Sequence, residues 1–289
     1  MNLPPENPPS TTPTLSSTPQ YKVIRDYRLS YSSLDILIPG ELEITFPRVC
    51  YLVLYFLQGD SFDMRFLNYH QSASQLYRFY IHGLVSEGSL SIRQRGKGSG
   101  YAIKIHPVIG YYLLRVPLST LTDRQILLSE VLGKRGQLLH ELEADLLLHP
   151  FENAYFQLLL EKILPDKSCY LQDPVYHAVN MAITKKGLLS VSALSQICCM
   201  SERTLRRQFL MKVGVSPQAY LKILQLQHVM ELLLRKPLAS LEQLAHEAGF
   251  YDVAHLRRDF RHKVSFRPSE VRQQLNGLSK DYLSFDSSA

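Results

Sequence analysis

The apolar pattern changes period once along the chain. From about Tyr21 to Pro107, short runs rich in β-branched and aromatic residues alternate with turn signals, which is the pattern of strands. Residues 49–57, 62–69 and 77–84 are three such runs. Residues 90–95 and 101–105 flank a turn holding Gly96, Gly98 and Gly100, which predicts a hairpin. Strands at this spacing predict an antiparallel barrel or sandwich. After Pro107 the period is helical. Residues 118–132 predict one or two short helices, and 137–148 and 152–164 predict amphipathic ones with stripes of Leu138, Leu139, Leu142, Leu158, Leu159 and Ile163. Those stripes fit either a dimer interface or packing on the barrel. Residues 165–173 are polar and Pro-punctuated, the composition of a linker, and from Pro174 onward only helices are predicted.

The strongest signal is an internal repeat. GLLSVSALSQICCMSERTLRRQFLMKVGVSP begins at Gly187, and PLASLEQLAHEAGFYDVAHLRRDFRHKVSFRP begins at Pro237. Leu194 matches Leu244, Leu205 matches Leu256, Phe209 matches Phe260, Val213 matches Val264 and Pro217 matches Pro268. The second turn is one residue longer. Each copy reads as a short helix, a tight turn and a second helix, that is, a helix-turn-helix. Ser190 and Ser240 are placed to cap the first helices, Ser201 and Asp252 the second, and Gln243 completes a capping box with Ser240. Leu194, Ile197, Leu205 and Phe209 are expected on one inner face, as are Leu244, Leu256 and Phe260. Ala245 permits close approach of two helices, and Gly249 suits a left-handed turn. Between the copies, Ser216-Pro217 opens a helix through about Leu234, with Pro at the first helical position. Eighteen residues at 1.5 Å each span about 27 Å. A rod of that length can hold two reading helices near one DNA turn apart, about 34 Å.

With Leu205 and Phe209 inward, Arg203, Arg206 and Arg207 point outward. With Leu256 and Phe260 inward, Ala254, His255, Arg257 and Arg258 are available. Arginine bonds guanine bidentately or holds phosphate. Solvated charges on amphipathic helices would look the same one at a time; two Arg-rich second helices in a duplicated unit favour DNA. Charge placement agrees. Residues 1–165 hold 15 Lys and Arg against 15 Asp and Glu, whereas residues 166–289 hold 17 against 11, so the net charge of +6 lies wholly in the second part.

Residues 174–275 resemble the DNA-binding domain of the AraC/XylS family. The resemblance rests on SERTLRRQF, VGVSPQAYL, the long linking helix and LAHEAGFYDVAHLRRDF with its closing Pro268. It implies base-facing or phosphate-facing roles for Arg203, Arg206 and Arg207, and for Ala254, Arg257 and Arg258. Four positions depart from the family pattern: Cys199 stands where Gly or Asn is comfortable, Ser265 where Gly is common, and Gln225 and His228 where Arg is frequent. The last two imply weaker phosphate contacts or a changed site preference. Residues 21–148 more weakly resemble the cupin-like sensor domains that precede such domains, through YAIKIHPVIGYYLLRVPLSTLTDRQILLSEVLG from Tyr101 to Gly133.

Other chemistry finds little support. His70, His82 and His106 form no metal-ligand motif, and the expectation is structural histidines with no metal and no cofactor. Tyr51, Tyr55, Tyr69, Tyr77 and Tyr80 fit cross-strand packing better than a ligand pocket. No phosphate loop, G-x-S-x-G or H-E-x-x-H occurs. Cys50, Cys169, Cys198 and Cys199 form no C-x-x-C pair, which fits a reducing cytoplasm; Cys198 reads as a small buried residue near a turn rather than a redox sensor. No apolar run reaches the ~20 residues that span a bilayer, and no signal peptide is expected. The resulting expectation is an α+β chain. Residues 1–20 form a disordered leader, and 21–165 a cupin-like antiparallel β-barrel with following helices. Residues 166–173 form a linker, 174–275 an all-α domain of two helix-turn-helix units joined by a long helix, and 276–289 a tail. Its function is that of a cytoplasmic, non-enzymatic transcription regulator. Its expected partner is double-stranded promoter DNA, with RNA polymerase, a small-molecule effector and a second copy of the chain as further candidates. The alternatives are an enzyme domain tethered to DNA, for which no reactive Cys setting is present, and a constitutive DNA-binding protein without ligand.

Overall fold

The structure, a computed structural model, describes residues 31–36, 41–46, 50–59, 62–66, 69–73, 78–86, 90–95, 98–137, 139, 141, 143–144, 163–264 and 267–271. The expected leader and tail, most of the helices expected at 137–148 and 152–164, and Ser265 lie outside these residues.

The strands are β1 (Tyr31–Ile36), β2 (Glu41–Phe46), β3 (Leu52–Gly59), β4 (Phe62–Phe66), β5 (Tyr69–Ala73), β6 (Arg78–His82), β7 (Leu90–Arg95), β8 (Gly98–Ile105) and β9 (Gln125–Leu127). They form two antiparallel sheets, ordered β1-β8-β3-β6-β9 and β2-β7-β4-β5. The pairs 1–8, 2–7, 3–6 and 4–5 are those of a long ribbon folded in half and rolled, the jelly-roll arrangement. The expected hairpin of β7 with β8 is therefore not formed. β7 pairs with β2 and β4, whereas β8 pairs with β1 and β3. Nor do the described strands close by hydrogen bonds into one barrel, because they divide between two sheets.

β3 shows why its sequence is apolar without alternation. Leu52, Val53, Leu54, Tyr55 and Phe56 are all buried, so both faces of this strand are covered. Across the pair with β6, Phe56 meets Phe79 at 4.8 Å between ring centroids, and Tyr55 stacks on Tyr80 at 5.7 Å. These two tyrosines are cross-strand packing, as their spacing suggested. After β8, His106 caps helix α1 (Pro107–Leu114) by accepting from the Val108 amide, and its ring lies 4.8 Å from that of Tyr176. Gly110 lets α1 approach β3, since a Cβ there would stand 2.9 Å from Leu52 Cδ2. The stretch 118–132 holds a 3₁₀ turn (Leu118–Thr120), then β9 and helix α2 (Leu128–Leu132), so one of the expected helical segments is an edge strand on β6.

The rest is helical: α3 (Ser168–Leu171), α4 (Pro174–Thr184), α5 (Val191–Ile197), α6 (Glu202–Lys212), α7 (Pro217–Arg235), α8 (Leu241–Glu247) and α9 (Val253–Lys263). Buried side chains fall into two clusters. The first runs from Cys50 through the strands and α1 to Tyr170, α4, α5, α6 and the residues of α7 up to Leu224. The second begins at Leu226 and holds Leu244, Phe250, Leu256, Phe260 and Val271. The first helix-turn-helix thus shares a core with the five-stranded sheet.

His82 sits in that shared core, 1% exposed, with its ring nitrogen Nδ1 2.8 Å from the Gly83 carbonyl. Burial lowers its pKa from 6.5 to about 4. The unfolded chain takes up this proton near pH 6.5 and the folded chain only near 4, so the contribution to stability is complete above about 6.5 and is lost as pH falls toward 4. Urea unfolding should lose about 2 kcal/mol from this group by pH 5. His82→Asn should make the decline from pH 7.5 to 5 visibly shallower; an unchanged slope would remove His82 as its source.

Candidate nucleic-acid interface

Each helix of the paired units begins at a side-chain cap, and each cap stands where the repeat places it. Ser190 Oγ accepts from the Ala193 amide, Ser201 Oγ from Thr204, and Asp252 Oδ1 from His255 at 2.6 Å. Ser240 and Gln243 complete their reciprocal box at 3.2 and 3.0 Å. Ser216 caps α7, with Pro217 at its first turn. The nineteen residues of α7 span about 28 Å.

The turns obey the same repeat. Gly249 has φ +69°, and its counterpart Cys199 is held at φ +50°, a left-handed conformation that a side chain disfavours. Cys198 beside it is buried and donates its thiol to the Pro174 carbonyl at 3.4 Å. Burial first, and the nearby Asp173 charge second, push its pKa to about 11, which keeps the thiol protonated. Ala245 is buried where the two helices of the second unit meet. Ile197 departs from expectation: it is 39% exposed rather than packed with Leu194, Leu205 and Phe209.

On α6, Leu205 and Phe209 are fully buried while Arg203, Arg206 and Arg207 are exposed. On α9, Leu256 and Phe260 are buried while Ala254, Arg257 and Arg258 are exposed. Both triplets have i, i+3, i+4 spacing, so each lies along one helix face. They occupy equivalent positions of the two repeats. Glu202 and Arg206 of α6 and His255 and Asp259 of α9 border one groove, floored by Lys222 and Gln225 of α7. The two second helices thus flank one groove, α6 through Arg206 of its exposed triplet and α9 through His255 and Asp259 rather than through its triplet. His255 is less free than its neighbours: its ring lies 5.5 Å from Phe250 and its Nε2 3.6 Å from Asp259 Oδ2.

Gln225 does not face outward as a weakened phosphate contact would. Its Nε2 donates to the carbonyls of Ala248 and Gly249, at 2.8 and 3.1 Å. His228 is largely buried, its Nδ1 3.9 Å from Glu231. Burial pushes the Glu231 carboxyl up, but the nearby His228 ring and the Lys186 ammonium, bonded to it at 2.7 Å, outweigh that, and its pKa is lowered. The roles of Lys222 and Asp259, which form an ion pair at 2.5 Å, carried no signal in the sequence beyond opposite charge.

A second polar node joins the first unit to the sheets. Asp173 caps α4 through Oδ1, which accepts from the Val175 amide. Its Oδ2 accepts from the Tyr112 hydroxyl of α1 at 2.9 Å and from Lys212, at the end of α6, at 2.5 Å. Burial, then the bond to Asp173, push the Tyr112 pKa to about 12. Among the described residues no cluster of His, Cys, Asp and Glu could hold a metal ion, and no helix is long and apolar enough to cross a membrane.

Residues 194–274 match the family model described as a helix-turn-helix domain. The transcriptional activator RhaS of Escherichia coli O139:H28 is 36% identical over 86 residues, 30% of this chain and 31% of that protein. RhaS of Escherichia coli O1:K1 is 38% identical over 79 residues, 27% and 28% of the two chains. The chain thus spans under a third of the length of the curated relatives it matches. Among solved structures, ToxT from Vibrio cholerae aligns over 86% of this chain and 99% of its own, with 13% identity and a TM-score of 0.46. A probable AraC family transcriptional regulator from Rhodopseudomonas palustris aligns over 35% of this chain and 99% of its own, with 24% identity and a TM-score of 0.30.

The strained turn yields a direct test. Cys199→Gly relieves the left-handed conformation and should raise the free energy of unfolding by about 1 kcal/mol. A higher urea midpoint with unaltered far-ultraviolet circular dichroism is the expected result; no rise would mean that the turn stores no strain.

Proposed function

We propose that this chain, a member of the AraC/XylS family by its C-terminal helix-turn-helix domain, is a transcription regulator that reads a bipartite DNA site. The observation that carries this reading is the repetition of one exposed triplet. Arg203, Arg206 and Arg207 on α6, and Ala254, Arg257 and Arg258 on α9, are exposed at equivalent positions of the two repeats, and Arg206 also borders the groove that runs along α7 between the two helices. Each set enters a major groove, with His255 held beside the second. The arginines bond guanine edges or phosphates, and Ala254 offers an apolar contact to a thymine methyl.

The N-terminal part, residues 21–165, is the regulatory domain in this reading. Its 1–8, 2–7, 3–6, 4–5 strand pairing supports a cupin-like origin. A small-molecule effector or self-association through this domain would bias the geometry of the first unit, to which it is joined by a shared core and by Asp173. Promoter DNA is the partner, RNA polymerase and a second copy of the chain are further ones, and the setting is the cytoplasm. No enzymatic step is assigned. Residues 174–275 are the DNA-binding domain and 166–173 its connection.

Because the first unit shares its core with the five-stranded sheet, the test uses the full chain. Selection from a random DNA library across a salt series should enrich a motif spanning two major-groove faces, with a steep salt slope. Arg206→Ala or Arg258→Ala should cost about 1–3 kcal/mol of base discrimination where the arginine bonds a guanine. Where it holds only phosphate, affinity falls evenly across sequences and the salt slope drops by about one. Weak binding with no enriched motif would overturn the reading.

A further inference from the structure

The two helix-turn-helix units have separate cores, yet α7 enters both. Tyr220, Leu221, Ile223 and Leu224 belong to the first cluster, and Leu226, Val229, Met230 and Leu232 to the second. A shared helix fixes the distance between the units. It does not by itself fix how the second unit is rotated about the helix axis, which needs contacts away from that axis. Lys222 and Gln225 supply them. They stand three residues apart, hence on one face of α7, within the stretch whose apolar residues are buried in the first core.

The polar contacts that the structure describes for this pair run to the second unit or between the two side chains. Gln225 Nε2 donates to the Ala248 and Gly249 carbonyls, and its Oε1 accepts from Lys222 at 3.0 Å. Lys222 also pairs with Asp259 on α9 and lies 4.2 Å from the centre of the Phe250 ring. The turn and the reading helix of the second unit are thus both gripped from one place. The loop before α5 closes the same junction from the first unit. Gly187 lies so near α7 that a Cβ would stand 2.2 Å from the Leu221 carbonyl oxygen, and a Cβ on Gly249 would stand 2.5 Å from Leu188 Cδ2.

We propose that Lys222 and Gln225 are positioning residues that clamp the second helix-turn-helix against the first and so set the spacing between half-sites that the chain accepts. The proposal rests on the bipartite reading above. Neither residue touches a base in it; both act through the placement of α9. Lys222, whose charge faces Asp259, does its work inside the protein rather than on phosphate.

The test is a selection with the full chain on DNA that carries both preferred half-sites separated by a spacer of random length. The unaltered chain should accept a single spacing. Gln225→Ala should recover the same two half-site sequences over a range broadened by at least about one base pair on either side. It should bind the preferred site about tenfold more weakly, the loss expected from two hydrogen bonds. Lys222→Met keeps the bonds to the turn, and should broaden the spacing as well; it decides the matter if Gln225→Ala does not fold by circular dichroism. Unchanged spacing and affinity in the folded variants would overturn the clamp. So would loss of one half-site sequence at intact spacing, since the residue would then act within the second unit alone. Failure of the unaltered chain to select any bipartite site would instead overturn the reading beneath it.

Discussion

The Tyr220 hydroxyl, buried in α7, donates across 170 residues of sequence to the carbonyl of Cys50, just before β3, at 3.1 Å. This bond lies inside the core that joins the five-stranded sheet to the first helix-turn-helix, and the rest of the architecture depends on that junction. Thr122 donates to the Gly214 carbonyl at 2.9 Å, and Gly214, at φ +98°, leaves no room for a Cβ beside Thr122 and Leu118. Asp173 is 1% exposed at its side chain, so its charge is costly unless compensated. Compensation comes from three donors on three elements: the Val175 amide, the Tyr112 hydroxyl and the Lys212 ammonium. Withdrawing any one would leave a buried carboxylate short of a partner. The orientation of α6 is thereby tied to α1, and α6 and the five-stranded sheet share one packed core.

The consequences spread along α7. A helix that is apolar on most of its circumference is a buried helix, and α7 fits this because its two halves are covered by different cores. Even Gln227 is buried. The helix therefore transmits position rather than merely spanning a gap. Its first turns are fixed by the sheets and the first unit, and its later turns carry Leu244, Ala245, Leu256 and Phe260. Displacement of the first unit relative to the sheets must tilt α7, and with it the second unit.

Where the sequence was legible, the signal was local. Ser190, Ser201, Ser216, Ser240 and Asp252 announce helix starts because each cap is decided by a few neighbouring atoms. The family pattern marked Cys199 as standing where Gly or Asn is comfortable, and its φ is +50°. Runs rich in β-branched and aromatic residues found β3, β4, β6, β7 and β8 but not their partners. Period two marks a strand and says nothing about which strand lies beside it, so the nearness of β7 and β8 in sequence was misread as a hairpin. The shared core was illegible for the same reason. Val175 and Tyr220 fall in the part read as helical and Tyr170 in the stretch read as a linker, and nothing in their spacing says that strands contribute the other side of their core. Gln225 was misjudged and Lys222 passed over because polar side chains on a helix are solvated by default. Only the arrival of the Gly249 turn and Asp259, over twenty residues later, makes them interior contacts.

The two units are alike in sequence yet unequal in support, and this inequality decides how a signal can travel. The first is braced by α1, the 3₁₀ turn at Leu118–Thr120 and Asp173, and the exposed face of its second helix carries three arginines. The second packs its core on α7 and its own two helices, and meets the first unit at Gly249 and Leu188. An effector of the kind proposed, if bound at the five-stranded sheet, would reach α6 directly through the shared core. To reach α9 along the contacts described here, it must pass through α7 and the junction beside Gln225. A change in the N-terminal part that leaves α7 straight would alter only how the first unit docks. One that tilts α7 would move both reading helices together and change how a fixed pair of DNA half-sites is met.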